Sequence, residues 1–203
     1  PFERIEWLNL GLLIAQKKNS EDHIERFLNH LGLAYGTIGD YPKAIEYFEQ
    51  GLALVAETGN MKAKAACLGN LGQAKASLGQ LQEAQDYYEQ ALAIDREIGN
   101  AKGESNALSN IGMLYAEQGD AKKAITLLEK ALEIDKSIDD VLGEGRDLGN
   151  LGLAHSRAGD KSRAIQYYQQ AIAILDKMGE LRSQGQFLGN LGNVYYSLEK
   201  TEK

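Results

Sequence analysis

The sequence predicts an all-α protein, a solenoid of antiparallel helical hairpins with about ten helices, and three observations carry that prediction. The first is a pentapeptide that returns at a fixed spacing. "LGNLG" stands at residues 68 to 72, 148 to 152 and 188 to 192, with "LSNIG" at 108 to 112 and "LNHLG" at 28 to 32, a period of 40 in a chain of 203 residues. Such a period marks a repeat array in which each unit buries its apolar face on its neighbours. The second is the rhythm inside one period, "MKAKAACLGNLGQAKASLGQLQEAQDYYEQALAIDREIGN". Apolar or small residues fall at Cys67, Leu68, Leu71, Ala74 and Leu78, then at Leu81, Ala84, Tyr87, Tyr88, Ala91, Leu92, Ile94 and Ile98, in helical spacing and in two blocks. The third is punctuation: a Gly-x pair separates the blocks.

Taken in chain order, the opening stretch "PFERIEWLNLGLLIAQKKNS" lies on "YPKAIEYFEQGLALVAETGN" when shifted by one period, with Ile5 on Ile45, Trp7 on Tyr47, Gly11 on Gly51 and Leu12 on Leu52. Residues 1–20 are therefore expected to form a second helix without its first. Complete hairpins are expected over 21–60, 61–100, 101–140 and 141–180, and residues 181–203 read as a first helix without its second. The chain looks like a piece of a longer protein.

The breaks within hairpins are Gly39-Asp40, Gly79-Gln80, Gly119-Asp120 and Gly159-Asp160; those between hairpins are Gly59-Asn60, Gly99-Asn100 and Gly179-Glu180. Glycine takes the left-handed conformation that ends a helix, and Asp or Asn then caps the next helix through a side-chain oxygen. Pro42 fits the first turn of a helix, where no hydrogen bond is lost. Inside each first helix a glycine recurs (Gly32, Gly72, Gly112, Gly152 and Gly192) although a mid-helix glycine costs about 1 kcal/mol relative to alanine. The expectation is close approach of the second helix through its small residues Ala44, Ala84, Ala124 and Ala164, with Gly51, Ala91, Ala131 and Ala171 further along. Phe48, Tyr88, Leu128 and Tyr168 then fill the remaining space.

Composition narrows the function. With 43% hydrophobic and 25% charged residues the chain has an ordinary globular make-up. A net charge of −7 argues against a nucleic-acid partner, which requires clustered Lys and Arg. The apolar stretches are too short to span a membrane, and no secretory leader pattern opens the chain. A single cysteine, Cys67, fits a reducing cytoplasm.

Catalytic patterns fail one by one. His23 and His30 share a helix face but lack a third ligand, and His155 stands apart, so no metal is expected. "GEGRDLG" at 143 to 149 has the wrong glycine spacing for a dinucleotide loop and no preceding strand. Cys67 occupies the slot held elsewhere by Phe27, Ala107, Asp147 and Phe187, which suits a packed residue better than a nucleophile. The carboxylates of "EAQDYYEQ" read as a solvated face. The sequence thus predicts neither an enzyme nor a cofactor.

A helical hairpin with Leu-Gly in its first helix, Ala near the start of the second, an aromatic four residues on and Ala three residues later resembles the tetratricopeptide repeat. "GEGRDLGNLGLAHSRAGDKSRAIQYYQQAIAI" at 143 to 174 is the best single match, and the resemblance covers essentially the whole chain, more weakly in the first 20 residues. The usual unit has 34 residues; the longer period here is similar to the branch found in animal G-protein modulator scaffolds and in prokaryotic proteins whose repeats follow a signalling ATPase domain. "ERIEWLNLGLLIAQKK" resembles the segment that leads into the repeats of those ATPase-linked proteins. The resemblance implies a right-handed superhelix with a concave groove lined by first helices, binding a peptide or protein segment as the sensor or scaffold part of a larger signalling protein.

One slot stands out on the residues alone. His30, Asn70, Asn110, Asn150 and Asn190 share it, although asparagine is a mediocre helix former. A ladder of amides has the donors and acceptors to hold the backbone of an extended peptide, or equally to satisfy groups on neighbouring helices. The resemblance favours the ligand. Carried over position by position, it adds Arg26, Asn106, Arg146 and Gln186 one turn earlier, Leu33, Gln73, Met113, Leu153 and Asn193 nearly one turn later, and Arg157. The arginines suit an acidic segment and the apolar members a hydrophobic one. In the chaperone-tail branch of the family, basic residues beside the asparagine clamp a terminal carboxylate; Asn29, Gly69, Ser109, Gly149 and Gly189 stand there instead, so that ligand is not expected.

A second expectation concerns the ends. Phe187, Leu188, Leu191, Val194 and Tyr195 would be partly bare, and by the repeat register residue 201 corresponds to residue 1. Copies are therefore expected to stack head to tail into open rods.

Overall fold

The computed structural model describes residues 2–199, and among these it contains ten α-helices and no strand. They are α1 (Phe2–Lys17), α2 (Glu21–Thr37), α3 (Tyr41–Thr58), α4 (Met61–Ser77), α5 (Leu81–Glu97), α6 (Ala101–Glu117), α7 (Ala121–Ser137), α8 (Val141–Arg157), α9 (Lys161–Met178) and α10 (Leu181–Glu199). The chain divides into two compact units, Pro1–Gly103 and Glu104–Lys203, with the division in the first turn of α6.

The turns follow the predicted chemistry with exceptions that have local causes. Asp40, Asn60, Asp120 and Asp160 each accept the backbone N–H three residues on, at 3.3, 3.1, 3.1 and 3.0 Å. Gln80 makes no such bond, and the Asn100 amide donates instead to Asp95 Oδ1 at 2.7 Å. At the turn before α10, Glu180 takes the capping role and accepts from Ser183 N at 2.8 Å; hydrogen bonding from the Ser183 side chain, then from its backbone, with the nearby Arg146 holds the Glu180 carboxyl below the usual range. Two turns lack glycine: Asn19 and Asp139 take the left-handed conformation themselves, at φ 50° and 55°. Short polar side chains tolerate that region better than others.

In the first unit, α1 and α2 share a core of Ile5, Leu12, Leu28, Leu31 and Ala34. Ala44 and Phe48 of α3 pack with Leu71 of α4, while Ala65 and Leu68 meet Ala91 and Ile94 of α5. In the second unit, Ala116, Ala124 and Leu128 close on Leu151 and Ala154, and a larger cluster joins Leu148, Ala164, Tyr168, Ala171 and Leu175 to Phe187 and Val194 of α10.

The first-helix glycines serve close approach, though chiefly to a different neighbour from the expected one. A Cβ at Gly72 would lie 2.7 Å from the Tyr88 ring and 3.1 Å from the Ala84 carbonyl oxygen; at Gly152 it would lie 2.7 Å from the Tyr168 ring. Gly32 faces Phe48, and Gly112 faces Leu128 at 3.0 Å. The large residue of the second helix thus lies over the glycine, and the alanine one turn earlier adds only its backbone. A Cβ at Gly192 on α10 would meet nothing within 4 Å among the described residues.

One slot therefore yields opposite mutational signs. Alanine gains up to about 1 kcal/mol of helix propensity anywhere in the slot, whereas overpacking costs about 1–3 kcal/mol where a neighbour must move. Urea denaturation is expected to show Gly72→Ala destabilised by about 1–2 kcal/mol and Gly192→Ala neutral or slightly stabilised.

Candidate functional site

The side chains singled out in the sequence lie along one partly solvent-facing strip of each first helix. On α2, Arg26, His30 and Leu33 are exposed; on α4, Asn70 is half-buried and Gln73 exposed. These two helices lie side by side in the first unit, joined by Asn70 Nδ2 donating to Asn29 Oδ1 at 2.7 Å. In the second unit the strip comprises Asn106, Asn110 and Met113 on α6, Arg146, Asn150, Leu153 and Arg157 on α8, and Gln186, Asn190 and Asn193 on α10. Asn110, Met113, Asn150, Leu153 and Asn190 are half-buried, while Asn106, Arg146, Arg157, Gln186 and Asn193 are exposed.

The amide rungs are not equivalent. Asn70 is tied to Asn29. Asn190 is hydrogen-bonded to the Tyr168 hydroxyl, whose ionisation burial pushes up to about 12. Asn150 has Leu128 at the position where Asn190 finds Tyr168, so no hydroxyl reaches it from the preceding second helix. Among the described residues the Asn150 amide has no hydrogen-bond partner, and its donors and acceptor are open to solvent or a ligand.

Behind the strip lies a buried polar layer. Ser105 Oγ of α6 donates to the Ala131 carbonyl of α7 at 3.2 Å. Ser109 Oγ donates to Asp147 Oδ1, linking α6 to α8, and the other oxygen, Asp147 Oδ2, is fully buried without a partner. Asp135 of α7 lies beside Asp147, fitted against Gly143, where any Cβ would collide with its carboxylate. Asp95 of α5 fits against Gly103 in the same manner in the first unit. Burial, above all, and then the negative charge of Asp135 push the Asp147 carboxyl up to about 8, against the Ser109 bond, which pulls it down. His155 is also buried, stacked on Tyr167 with ring centroids 5.2 Å apart, and desolvation lowers its pKa while Asp160 opposes the shift.

His23 and His30, the pair sharing a helix face, are both exposed, with His23 Nδ1 hydrogen-bonded to Ser20 Oγ at 2.7 Å. Among the described residues no three His, Cys, Asp or Glu side chains gather in the manner of a metal site, and no helix is long and apolar enough to cross a membrane.

The profile described as Tetratricopeptide repeat matches residues 23–97 and 103–177, well over half of the chain. The chain belongs to the tetratricopeptide repeat family. None of the curated protein sequences matches it. Among solved structures, BtubC (BKLC) from P. vanneervenii is 20% identical with a TM-score of 0.79, over 97% of this chain and 84% of that one. A Rap protein complexed with Competence and Sporulation Factor is 19% identical at 0.79, over 90% of this chain and 50% of that one. The tetratricopeptide repeat sensor protein of the STAND class (signal transduction ATPases with numerous domains) from Pyrococcus horikoshii is 20% identical at 0.71, over 90% of this chain and 29% of that one. At these identities the likeness concerns the tetratricopeptide fold.

Within these repeats the sequence reading placed Asp147 in a packed slot but missed its chemistry. The signal was present: an acid stands where Phe27, Cys67, Ala107 and Phe187 stand in other repeats. A second signal lies in the pairs Asp95/Gly103 and Asp135/Gly143, set eight residues apart, where other repeats carry Val55/Ala63 and Leu175/Ser183. Cys67 is packed as expected, with Sγ placed 3.2 Å from where a Cβ on Gly51 would stand, and burial pushes its thiol up to about 11. Since the thiolate is the nucleophile, iodoacetamide at pH 8 is expected to leave Cys67 unmodified in the folded protein and to alkylate it readily in urea. Rapid modification without denaturant would show that the slot opens.

Proposed function

We propose that the chain is a non-catalytic, cytoplasmic protein-interaction module whose first helices hold an extended segment of a protein partner. The observation that carries this reading is the Asn150 amide, half-buried, without a hydrogen-bond partner among the described residues, and flanked on α8 by Arg146, Leu153 and Arg157. An unpaired amide at a partly desolvated position suits a peptide N–H and C=O, because it offers one acceptor and two donors to a strand that presents the same groups. The arginines supply charge-assisted pairing for an acidic residue, and Leu153 with Met113 a small apolar floor. Two similar structures support the reading: one is a Rap protein complexed with a factor, the other carries its repeats as the sensor of a signalling ATPase. By that analogy the module serves as the sensing or scaffolding part of a larger signalling protein.

The test is affinity capture from source-cell lysate with the original chain and an Asn110→Ala, Arg146→Ala, Asn150→Ala triple variant whose helical circular dichroism is unchanged. A protein retained by the first and lost by the second supports the groove. Equal capture by both removes its support.

A second reading, end-to-end assembly of copies, is favoured by one observation. Leu188 of α10 is 50% exposed, whereas Leu28, Leu68, Leu108 and Leu148 in the same slot are 2–4% exposed. Tyr195 on α10 is 44% exposed and Trp7 on α1 is 73% exposed; in the hairpin of α2 and α3 the corresponding rings, Tyr35 and Tyr47, stack at 5.4 Å. The fit is imperfect. Ala44 meets Gly36 within its hairpin, but the corresponding residues at the two bare faces are Arg4 and Tyr196, too large for that approach. Sedimentation velocity is expected to show concentration-dependent association that Trp7→Glu abolishes, and a monomer at every concentration excludes this reading.

A further inference from the structure

We propose that Asp147 is a neutral acid bridging three helices, its carbonyl oxygen accepting from Ser109 of α6 and its hydroxyl donating to Asp135 of α7, and that this proton positions α8 and its groove side chains. The first part stands on the geometry of the buried layer; the second rests on the groove reading above.

The geometry leaves little alternative. Asp147, Asp135 and Ser109 are 3%, 3% and 8% exposed, so the cluster is closed to water. Asp147 Oδ1 has its donor in Ser109. Asp147 Oδ2 is the single buried side-chain oxygen or nitrogen among the described residues without a partner, and the side chain beside the Asp147 carboxyl, Asp135, is another acceptor. Two ionised carboxylates at such a site repel each other and forgo solvation. One proton removes both penalties: it turns the orphan oxygen into a donor aimed at Asp135 and leaves one negative charge in place of two. The groups facing Asp147 are the Ser109 hydroxyl from α6, Asp135 from α7 and Asp140 from the turn before α8, where the Asp140 side chain also caps α8 at Gly143 N, 3.1 Å away. Burial and these neighbouring charges push its carboxyl up to about 8, so the acid form prevails at neutral pH.

The position of this bridge gives it a consequence. Asp147 follows Arg146 directly and precedes Asn150 by one turn on α8, while Ser109 precedes Asn110 on α6. Removing the proton places like charges on α7 and α8 within the closed layer. Relief requires α8 to move away, carrying Arg146 and Asn150 with it. Asp147 is thus a positioning residue rather than a ligand contact, and it confers on the groove a pH dependence of its own.

The sign follows from linkage. A carboxyl whose folded-state pKa is raised from 3.8 to about 8 binds its proton more tightly when folded. Its stabilising contribution is therefore complete below about pH 4 and declines as pH rises through about 8, by up to about tenfold in the folding constant per pH unit between those limits. Asp147→Asn retains one acceptor for Ser109 and an N–H donor for Asp135 but cannot titrate. The wild-type folding constant relative to this variant, measured in urea, is expected to fall steadily between pH 4 and pH 8. A ratio independent of pH across that range overturns the proposal.

A measurement on the unmodified protein guards against a variant that fails to fold. The Asp147 side-chain carboxyl ¹³C resonance is expected to titrate near pH 8, and the backbone amides of Asn110, Arg146 and Asn150 to shift with the same midpoint. Titration of the carboxyl near pH 4 overturns the bridge. Titration near 8 with those amides unmoved overturns its positioning role. Neither readout involves a partner, so failure of the groove reading, seen only in the capture experiment, remains distinguishable.

Discussion

Everything else in this protein depends on how near the two helices of a hairpin approach each other. That distance is set by a glycine on the first helix lying under a large side chain of the second: Gly32 under Phe48, Gly72 under Tyr88, Gly112 under Leu128, Gly152 under Tyr168. The glycine sacrifices helix propensity, and the ring or leucine recovers more through burial, since Tyr88, Tyr168 and Leu128 are no more than 2% exposed. With the large residue sunk into the first helix, the alanines at Ala44, Ala84, Ala124 and Ala164 close completely. The same inward face forces the opposite strip of the first helix outward, which is where the amides stand. The cost of the glycine and the partial exposure of the asparagine two residues before it are two sides of one packing decision.

The repeat made most of the fold legible. A fixed period divides the uncertainty of each boundary among several copies, so the helices and the capping by Asp40, Asn60, Asp120 and Asp160 emerge from spacing and turn chemistry. What averaging conceals is the departure of one copy from the others. The turn at Asp139-Asp140 carries no glycine, yet Asp139 adopts the left-handed conformation. The steric partner of the glycines was legible only in part: the alanine backbone does come close at Gly72 and Gly112, but spacing does not show that the large side chain reaches further across.

The strip was legible as a set of slots and illegible as a set of interactions. The period placed Asn70, Asn150 and Asn190 in one position, but the partner of each amide is decided by its own neighbours: Asn29 of the adjacent first helix for Asn70, Tyr168 of the preceding second helix for Asn190, and for Asn150 only Leu128 at the equivalent place, which offers no hydrogen-bonding group. Asp147 escaped for a related reason. An acid on a helix is expected to face water, and only its slot, shared with Phe27, Cys67 and Phe187, indicates otherwise. The general lesson concerns where chemistry resides in a repetitive chain. The consensus builds the scaffold, and the exceptions carry the individual character of each position.

The buried aspartates fitted against glycine bear on a hazard peculiar to such chains. When several segments are nearly alike, a folding polypeptide risks docking a helix onto the wrong neighbour, and apolar contacts alone discriminate poorly between them. Asp135 accepts Gly143 at its side but has no room for the Cβ of an Ala63 or Ser183 in that place, and Asp95 imposes the same restriction beside Gly103. A mispaired helix would also strand a carboxylate away from the groups that accommodate it. These junctions therefore disfavour any neighbouring segment that carries a side chain at that place, a discrimination between near-identical segments that apolar contacts alone do not give.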